Sequence, residues 1–354
     1  MSTEIAIEVQ ALPMAAEIEP AETIGEISAD ILTKYHLLRP DDVDRLCDQE
    51  KHASKDGLVG GFITRRSVSV LIGDSGIGKS PLAYQLGLCV AAGRPFVEMP
   101  TQQGHVVYAD YENPMEDGRE LQDRQVSFLK LRKKPDNFLL WTPDSGDWLD
   151  IEGVCRDVKP ALFIIDSLRS HSPNFEKSEN AGQEMKRLNT IARTYGAAIL
   201  VIHHIRKPGE DGVPLLDNED TGLMLWLKQA AGHSSLINQS HTRIAADLPD
   251  GRKNLDAALV LRWHRRIKGE TGPIYLERIS DHDGEPWGYQ RVTSVELLGN
   301  EMQEKFKMLP QQFAFKEAKQ IYERKDDPTR KWLLKCASLG LIRQIGRGQY
   351  QRLD

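Results

Sequence analysis

The alternation of apolar and polar positions divides this 354-residue chain into short buried strands separated by longer helical stretches. Val68, Val70 and Ile72 alternate with Ser67, Ser69 and Leu71, a β-branched run that stops at Gly73 and predicts a strand. Leu82, Leu86, Cys89 and Val90 then recur at helical spacing and close on Gly93. HVVYA at 105–109, FLLW at 138–141, ALFII at 161–165 and AAILVI at 197–202 are apolar runs of strand length. Between them, residues 115–132 and Glu184 to Tyr195 have helical period. Strands and helices that alternate in this way predict an α/β fold on a mostly parallel sheet.

Thr242 to Asp247 and Ala257 to Trp263 predict two more strands, joined by a turn through Pro249, Asp250 and Gly251, and Ile274 to Ile279 predicts the last. The texture then changes. Met302 to Leu309, Lys316 to Glu323 and Asp327 to Ser338 predict three helices, followed by a hairpin of Leu341 to Gln344 and Tyr350 to Leu353 around Gly346 and Gly348. Three helices and a hairpin are the plan of a winged helix. The expected division is an acidic disordered leader at 1–34, a helical linker at 35–60, a core at 61–296 and a winged-helix domain at 297–354.

Composition adds little to the core but marks the ends. With 40% hydrophobic and 28% charged residues, and no apolar run near the ~20 residues that span a bilayer, the chain predicts a globular protein away from membranes. No basic start followed by an apolar block precedes Lys34, so a cytoplasmic location is expected. Cys47, Cys89, Cys155 and Cys336 are scattered without a C-x-x-C pair, which argues against zinc and disulfides. Residues 1–34 hold seven acids against Lys34 alone, which accounts for the whole formal charge of −6. Residues 301–354 are basic, with Arg330, Lys331 and Lys335 on the third helix and Arg343 and Arg347 on the hairpin. The leader is therefore expected to meet a protein partner and the basic end to meet phosphates.

The chemistry lies at the strand ends. Gly73, Gly78, Lys79 and Ser80 have the spacing G-x-x-x-x-G-K-S of a phosphate-binding loop. Gly73, Asp74, Ser75, Gly76, Ile77 and Gly78 are expected to present backbone N–H groups to a polyphosphate, with Pro81 in the first turn of the following helix. Lys79 would reach the β- and γ-phosphates of ATP, and the Ser80 hydroxyl would hold Mg2+. Asp166, at the tip of the apolar strand 161–165, has the position of a second magnesium ligand. Glu112, in the DYEN that ends the strand 105–109, is the candidate to orient or deprotonate the attacking water. Of His203 and His204 at most one faces the phosphates, because successive strand residues face opposite sides; His204 is slightly favoured. The cluster of Arg262, His264, Arg265, Arg266 and Lys268 suggests an arginine that reaches a neighbouring subunit's γ-phosphate.

GDSGIGKS, HVVYADYEN, ALFIIDSLRS, AAILVIHHIRKPG and GHSSLINQSHTRIAAD, taken in that order, resemble the RecA-type ATPases, most closely the RepA-like hexameric replicative helicases of plasmids and mobile elements. The resemblance covers about residues 57–280. It implies a RecA-like sheet whose Lys79 and Ser80 bind ATP and magnesium, with Glu112 activating water and Asp166 holding the metal. It also implies that His203 or His204, with residues 207–221, couples the γ-phosphate to DNA loops lining the centre of a homo-oligomeric ring, a hexamer. The finger is carried by Arg243, Arg265 or Arg266. The C-terminal module departs from a bare helicase core and resembles the winged helices of replication initiators, a module for duplex DNA. The expected function is ATP hydrolysis coupled to movement along single-stranded DNA; the alternative is an ATP-switched DNA-binding or loading protein without unwinding.

Overall fold

The computed structural model describes residues 28–35, 37–49, 57–146, 149–172, 178–205, 216, 223–230, 234–248, 259–280, 286–298 and 300–353. The chain divides into two units, at 1–52 and 53–354. In the first, two helices are described, α1 (Ala29–Lys34) and α2 (Pro40–Gln49). Of the expected acidic leader, residues 1–27 lie outside the described residues.

The second unit opens with β1 (Ser67–Gly73), followed by α3 (Lys79–Ala92), β2 (Val106–Asp110), α4 (Met115–Phe128) and β3 (Phe138–Trp141). After these come α5 (Ile151–Val158), β4 (Leu162–Asp166), α6 (Leu168–His171), α7 (Ser178–Tyr195) and β5 (Ala198–His204). The chain continues through α8 (Leu223–Leu227), α9 (Ser235–Gln239), β6 (Thr242–Asp247), β7 (Leu259–Arg265), β8 (Gly269–Glu270), β9 (Ile274–Ser280) and β10 (Pro286–Val292). The order across the sheet is β10-β9-β7-β6-β1-β5-β4-β2-β3, with β8 paired to β7. From β6 to β3 all neighbours run parallel, and β7, β9 and β10 extend the sheet antiparallel.

Period-two alternation makes the central strands two-sided. Val68, Val70, Val107, Phe163, Ile165 and Val201 face one core layer with Met185, Leu188 and Ile191 of α7. Leu71, Tyr108, Ile164, Leu200 and Ile202 face the other layer with Leu82, Leu86 and Val90 of α3. A strand apolar on both sides must be covered by helices on both faces, which is why these runs read as unbroken hydrophobic stretches. α3 sits so close to the sheet that a Cβ on Gly87 would stand 2.7 Å from Phe138.

α3 is also buried on the side away from the sheet, as a helix apolar all round must be. Part of the cover comes from β10, a strand with no apolar run to announce it and one absent from the sequence expectation. The Gln85 amide donates to the Tyr289 carbonyl at 2.7 Å and accepts from the Tyr289 N–H at 2.7 Å, so a helix side chain completes the hydrogen bonding of a strand. The turn expected at Pro249–Gly251 lies outside the described residues, and β7 runs two residues beyond its expected end.

From Asn300 onward the chain forms α10 (Asn300–Lys307), β11 (Gln312–Ala314), α11 (Phe315–Tyr322), α12 (Asp326–Ser338), β12 (Ile342–Gly346) and β13 (Gln349–Arg352). The three strands make a small antiparallel sheet in the order β11-β13-β12, so the expected hairpin gains a third strand. Trp332, Leu333, Phe306 and Phe313 join the α7-side core without a break. Among the described residues no helix is long and apolar enough to cross a membrane. Cys89, Cys155 and Cys336 are buried and form no disulfide.

The clamp of Gln85 on β10 gives a direct prediction. Gln85→Met keeps the volume and the helix propensity but leaves two buried backbone groups unpaired, at ~1–3 kcal/mol each. Its urea midpoint should fall by the equivalent of roughly 2–6 kcal/mol with the slope unchanged; an unmoved midpoint would show that the amide carries no load.

Candidate active site

Parallel register puts the ends of four strands on one edge. Gly73 of β1 pairs with His204 of β5, Ile165 of β4 with Val201 of β5, and Asp110 of β2 with Asp166 of β4. Since neighbouring strands lie ~4.8 Å apart, the loop after β1 and the acid ending β4 are separated by the width of a single intervening strand, β5.

The loop itself is open where an anion would sit. Asp74, Ser75 and Gly76 are exposed, Ile77 is buried, and Gly78 turns at φ 98° into the start of α3. No L side chain suits that backbone conformation, and a Cβ there would lie 2.0 Å from the Tyr289 hydroxyl. The Tyr289 hydroxyl donates to the Gly78 carbonyl at 3.1 Å, and the Arg278 guanidinium donates to the Ile77 carbonyl. The loop is thus braced from behind, and in its exposed part the Ser75 N–H donates to the Asp74 carboxylate at 2.7 Å. Pro81 lies in the first turn of α3, where a missing N–H costs little.

Lys79 bends back into the loop, its Nζ donating to the Asp74 carbonyl at 2.6 Å. Burial lowers its pKa, opposed by Asp166, Glu112 and Asp74. The same ammonium lies 3.4 Å from His204 Nδ1, and the other ring nitrogen lies 3.7 Å from the Glu112 carboxylate. His203 is fully buried on the opposite side of β5.

Asp166 is buried at the base of the cradle. The Tyr108 hydroxyl donates to it at 2.7 Å, and so does the Ser80 hydroxyl. Its pKa is raised to about 6, burial being the largest cause; the Ser80 and Tyr108 hydrogen bonds oppose the rise, and Asp110 and Glu112 add to it. Tyr108 stacks on Tyr84 with ring centres 4.0 Å apart, and the Tyr84 hydroxyl donates to Asp110 at 3.0 Å. Burial, with the adjoining carboxylates, pushes both tyrosines well above the usual phenol range.

Asp110 builds the turn that aims Glu112. One carboxylate oxygen accepts the N–H groups of Glu112 and Asn113 at 3.1 and 2.9 Å, and the Asn113 amide donates to both oxygens. Glu112 then accepts from the Ser167 hydroxyl and, at 3.1 Å, from the Ser170 hydroxyl. Its pKa falls to about 2 through His204 first, with Ser167 and Ser170 adding and partial burial opposing. At 3.7 Å the histidine contact is long for a hydrogen bond, and the two serines are the firmer partners.

Lys79, Ser80, Glu112, Asp166 and His204 are therefore brought together. The arginines are not. Arg265 and Arg266 follow β7 to the opposite edge, where Arg265 is 8% exposed and its guanidinium donates to Thr64 at 3.1 Å. Arg243, also buried, donates to the Ile237 carbonyl at 2.7 Å. Only Arg266 is exposed, and it contacts the Asn238 carbonyl. Within one chain none of these three reaches the cradle. Residues 206–215 and 217–222, which hold the expected DNA loop, lie outside the described residues. Asp110, Tyr108, Ser167 and Ser170 stand beside expected residues in the sequence, and the i, i+3 spacing of the serines after Asp166 is the signal that could have found them. Arg278 and Tyr289 carry no such signal.

The residues fit a magnesium ion that keeps most of its ligands as water and phosphate: one hydroxyl and one buried carboxylate meet at the foot of the loop. Among the described residues no cluster of three or more His, Cys, Asp or Glu forms a cage of its own.

A strand, a glycine loop and a helix with these acids on the adjoining strand ends define a P-loop ATPase. Residues 34–210, half of the chain, match the family described as AAA domain, and the chain belongs to that family. It is 27% identical over 157 residues to the DNA repair and recombination protein RadB of Pyrococcus horikoshii, across 42% of this chain and 63% of that protein. To the RadB of Methanobrevibacter smithii it is 26% identical over 218 residues, across 60% of this chain and 85% of that protein. The match thus spans somewhat under two thirds of the P. horikoshii protein. Among solved structures, a KaiC-like protein of Pyrococcus horikoshii OT3 superposes with TM-score 0.44 at 14% identity, covering 68% of this chain and 95% of its own. The RadB recombinase superposes with TM-score 0.42 at 21% identity, covering 66% and 93%. Both scores are low, and the fold rests on the strand order above.

The raised pKa of Asp166 has a sign. Between about 4 and 6 the unfolded chain releases this proton while the folded chain keeps it, so the stabilisation is full below the unfolded value and is lost as pH rises through about 6. In EDTA, Asp166→Asn should flatten the fall in thermal midpoint between pH 4 and 6, a term on the order of 2–3 kcal/mol. Parallel profiles for the two proteins would mean that Asp166 titrates normally.

Proposed function

We propose that this chain hydrolyses ATP with magnesium and couples the cycle to DNA, as a replicative helicase of a plasmid, phage or mobile element. The observation that carries the hydrolytic part is the convergence of Lys79, Ser80, Asp166, Glu112 and His204 on one sheet edge beside an open phosphate loop. When bound, Mg2+ would neutralise charge building on the phosphates, with Ser80 and Asp166 as its protein ligands. Lys79 has a direct route to a phosphate: the carbonyl it now holds is its own loop's, and a γ-phosphate is the stronger acceptor. Glu112 is ionised at any working pH. So acidic a carboxylate suits orienting the attacking water better than keeping its proton.

His204 touches both Lys79 and Glu112 and is followed at once by the segment expected to meet DNA. It is the proposed link between nucleotide state and that segment. An arginine finger would come from a second subunit, which supports the ring reading, and Arg266 is the candidate with an exposed guanidinium. The DNA half rests on the sequence resemblance and on relatives whose names place them in DNA repair and recombination.

The C-terminal module, with helices α10 to α12 and the β12–β13 hairpin, is proposed as a winged helix. Its α12 face carries exposed Arg330 and Lys331 but also Leu334 at 69% exposure, and Arg330 stacks on Phe315 at 5.7 Å. That mixture favours a second reading for this module alone, contact with a protein rather than duplex DNA.

ATPase activity should rise on addition of single-stranded DNA and vanish in Lys79→Ala; ATPase without stimulation would point to the DNA-loading alternative. Glu112→Gln should retain ATP binding and lose ~10²–10⁴-fold in turnover, and undiminished turnover would unseat it from the water. Removing residues 301–354 should weaken duplex binding and flatten its salt dependence. Unchanged duplex binding would leave the module as a protein adaptor.

A further inference from the structure

The edge of the sheet opposite the nucleotide loop carries its own cavity, of about 480 Å³. Its floor is the start of β1, so six residues at ~3.3 Å each place it ~20 Å from Gly73. Arg65 and Arg66 approach from the loop before β1, Lys186 and Arg193 from α7, His241 from the turn into β6, and Arg266 from the turn after β7. No Asp or Glu lines it. Among the described residues Lys186, Arg193 and Arg266 have no acidic partner.

Such a concentration of cations is costly unless something anionic relieves it. His241 registers the field: burial lowers its pKa, and Arg265, Arg266, Arg193 and Arg243 lower it further. Backbone and amide contacts fix much of the wall, with the Arg266 guanidinium on the Asn238 carbonyl. The His241 N–H donates to the Val68 carbonyl at 2.8 Å, the Arg266 N–H to the His241 carbonyl at 3.1 Å, and the Asn189 amide to the Gln239 carbonyl at 3.1 Å. Lys186 and Arg193 lie seven residues apart on one helix face, ~10 Å along the axis, which suits a run of phosphates better than a single ion. No Phe, Tyr or Trp lines the cavity as a platform for a base.

We propose that this cavity is a second anion site, which takes successive phosphates of a single-stranded nucleic-acid backbone. It reads charge and spacing, not sequence. The proposal rests on the DNA half of the function above and is independent of the hydrolytic half.

The test uses the full chain, a fluorescein-labelled oligothymidine read by anisotropy, and a fluorescent ATP analogue as control. Lys186→Gln combined with Arg193→Gln changes two exposed helix positions, so the fold should be retained. The double variant should bind the oligonucleotide about tenfold more weakly, with a salt slope smaller by roughly 1.4, and bind the ATP analogue unchanged. Arg187→Gln, on the same helix but outside the cavity, should match the wild type. An equal loss in Arg187→Gln would reduce the effect to diffuse charge and overturn the site, as would an unmoved oligonucleotide curve in the double variant. If that curve is unmoved while the double variant loses a second equivalent of inorganic tripolyphosphate bound by the wild type, the site takes free polyphosphate and the backbone assignment falls. A wild type that binds and hydrolyses ATP but holds no oligonucleotide would remove this proposal together with the DNA reading and leave the hydrolytic one standing.

Discussion

Parallel hydrogen bonding among β1, β5, β4 and β2 is the constraint on which the site depends. Because the four strands run in one direction and in step, Gly73, His204, Asp166 and Asp110 arrive at the same edge. β5 between β1 and β4 inserts a histidine between lysine and glutamate. A shift of one residue along β5 would turn His204 away and bring His203 to the edge, since strand neighbours face opposite sides.

Two acids at the end of a buried sheet would repel each other if left bare. The stacked Tyr84 and Tyr108 place a hydroxyl donor on each, so Asp110 and Asp166 are buried yet hydrogen-bonded. Asp110 spends its remaining capacity on the turn that holds Glu112, and Asp166 on Ser80. The two halves of the chemistry, metal foot and water-facing carboxylate, are thereby tied to the same buried platform. The antiparallel extension matters for the same reason. β9 and β10 curl over α3 and hold the Ile77 and Gly78 carbonyls from behind, leaving the N–H side of the loop to a ligand.

The two edges of the sheet carry opposite chemistry. At the carboxyl ends of the parallel strands, buried acids and one lysine surround an open loop; at the other edge, arginines and lysines gather without acids among the residues lining their cavity. β1 spans the distance between them, from Ser67 at the cavity to Gly73 at the phosphate loop.

The sequence by itself determined the local matters: where strands and helices run in the parallel half, the phosphate loop, and the acids at 112 and 166. Those follow from period, from glycine spacing and from an apolar run stopping at a charge, all of which are properties of neighbours along the chain. β10 was not legible, because Pro286 to Val292 mixes polar and aromatic residues and becomes a strand only by pairing with β9 and by the hydrogen bonds from Gln85, 204 residues away. Spacing along the chain did not choose among Arg243, Arg265 and Arg266 for the same reason: only packing decides that the first two are buried and the third is exposed. Which histidine meets Lys79, what holds the back of the loop, and which charges are left facing an empty cavity are set by contacts between distant segments, and those exist only once the sheet has closed.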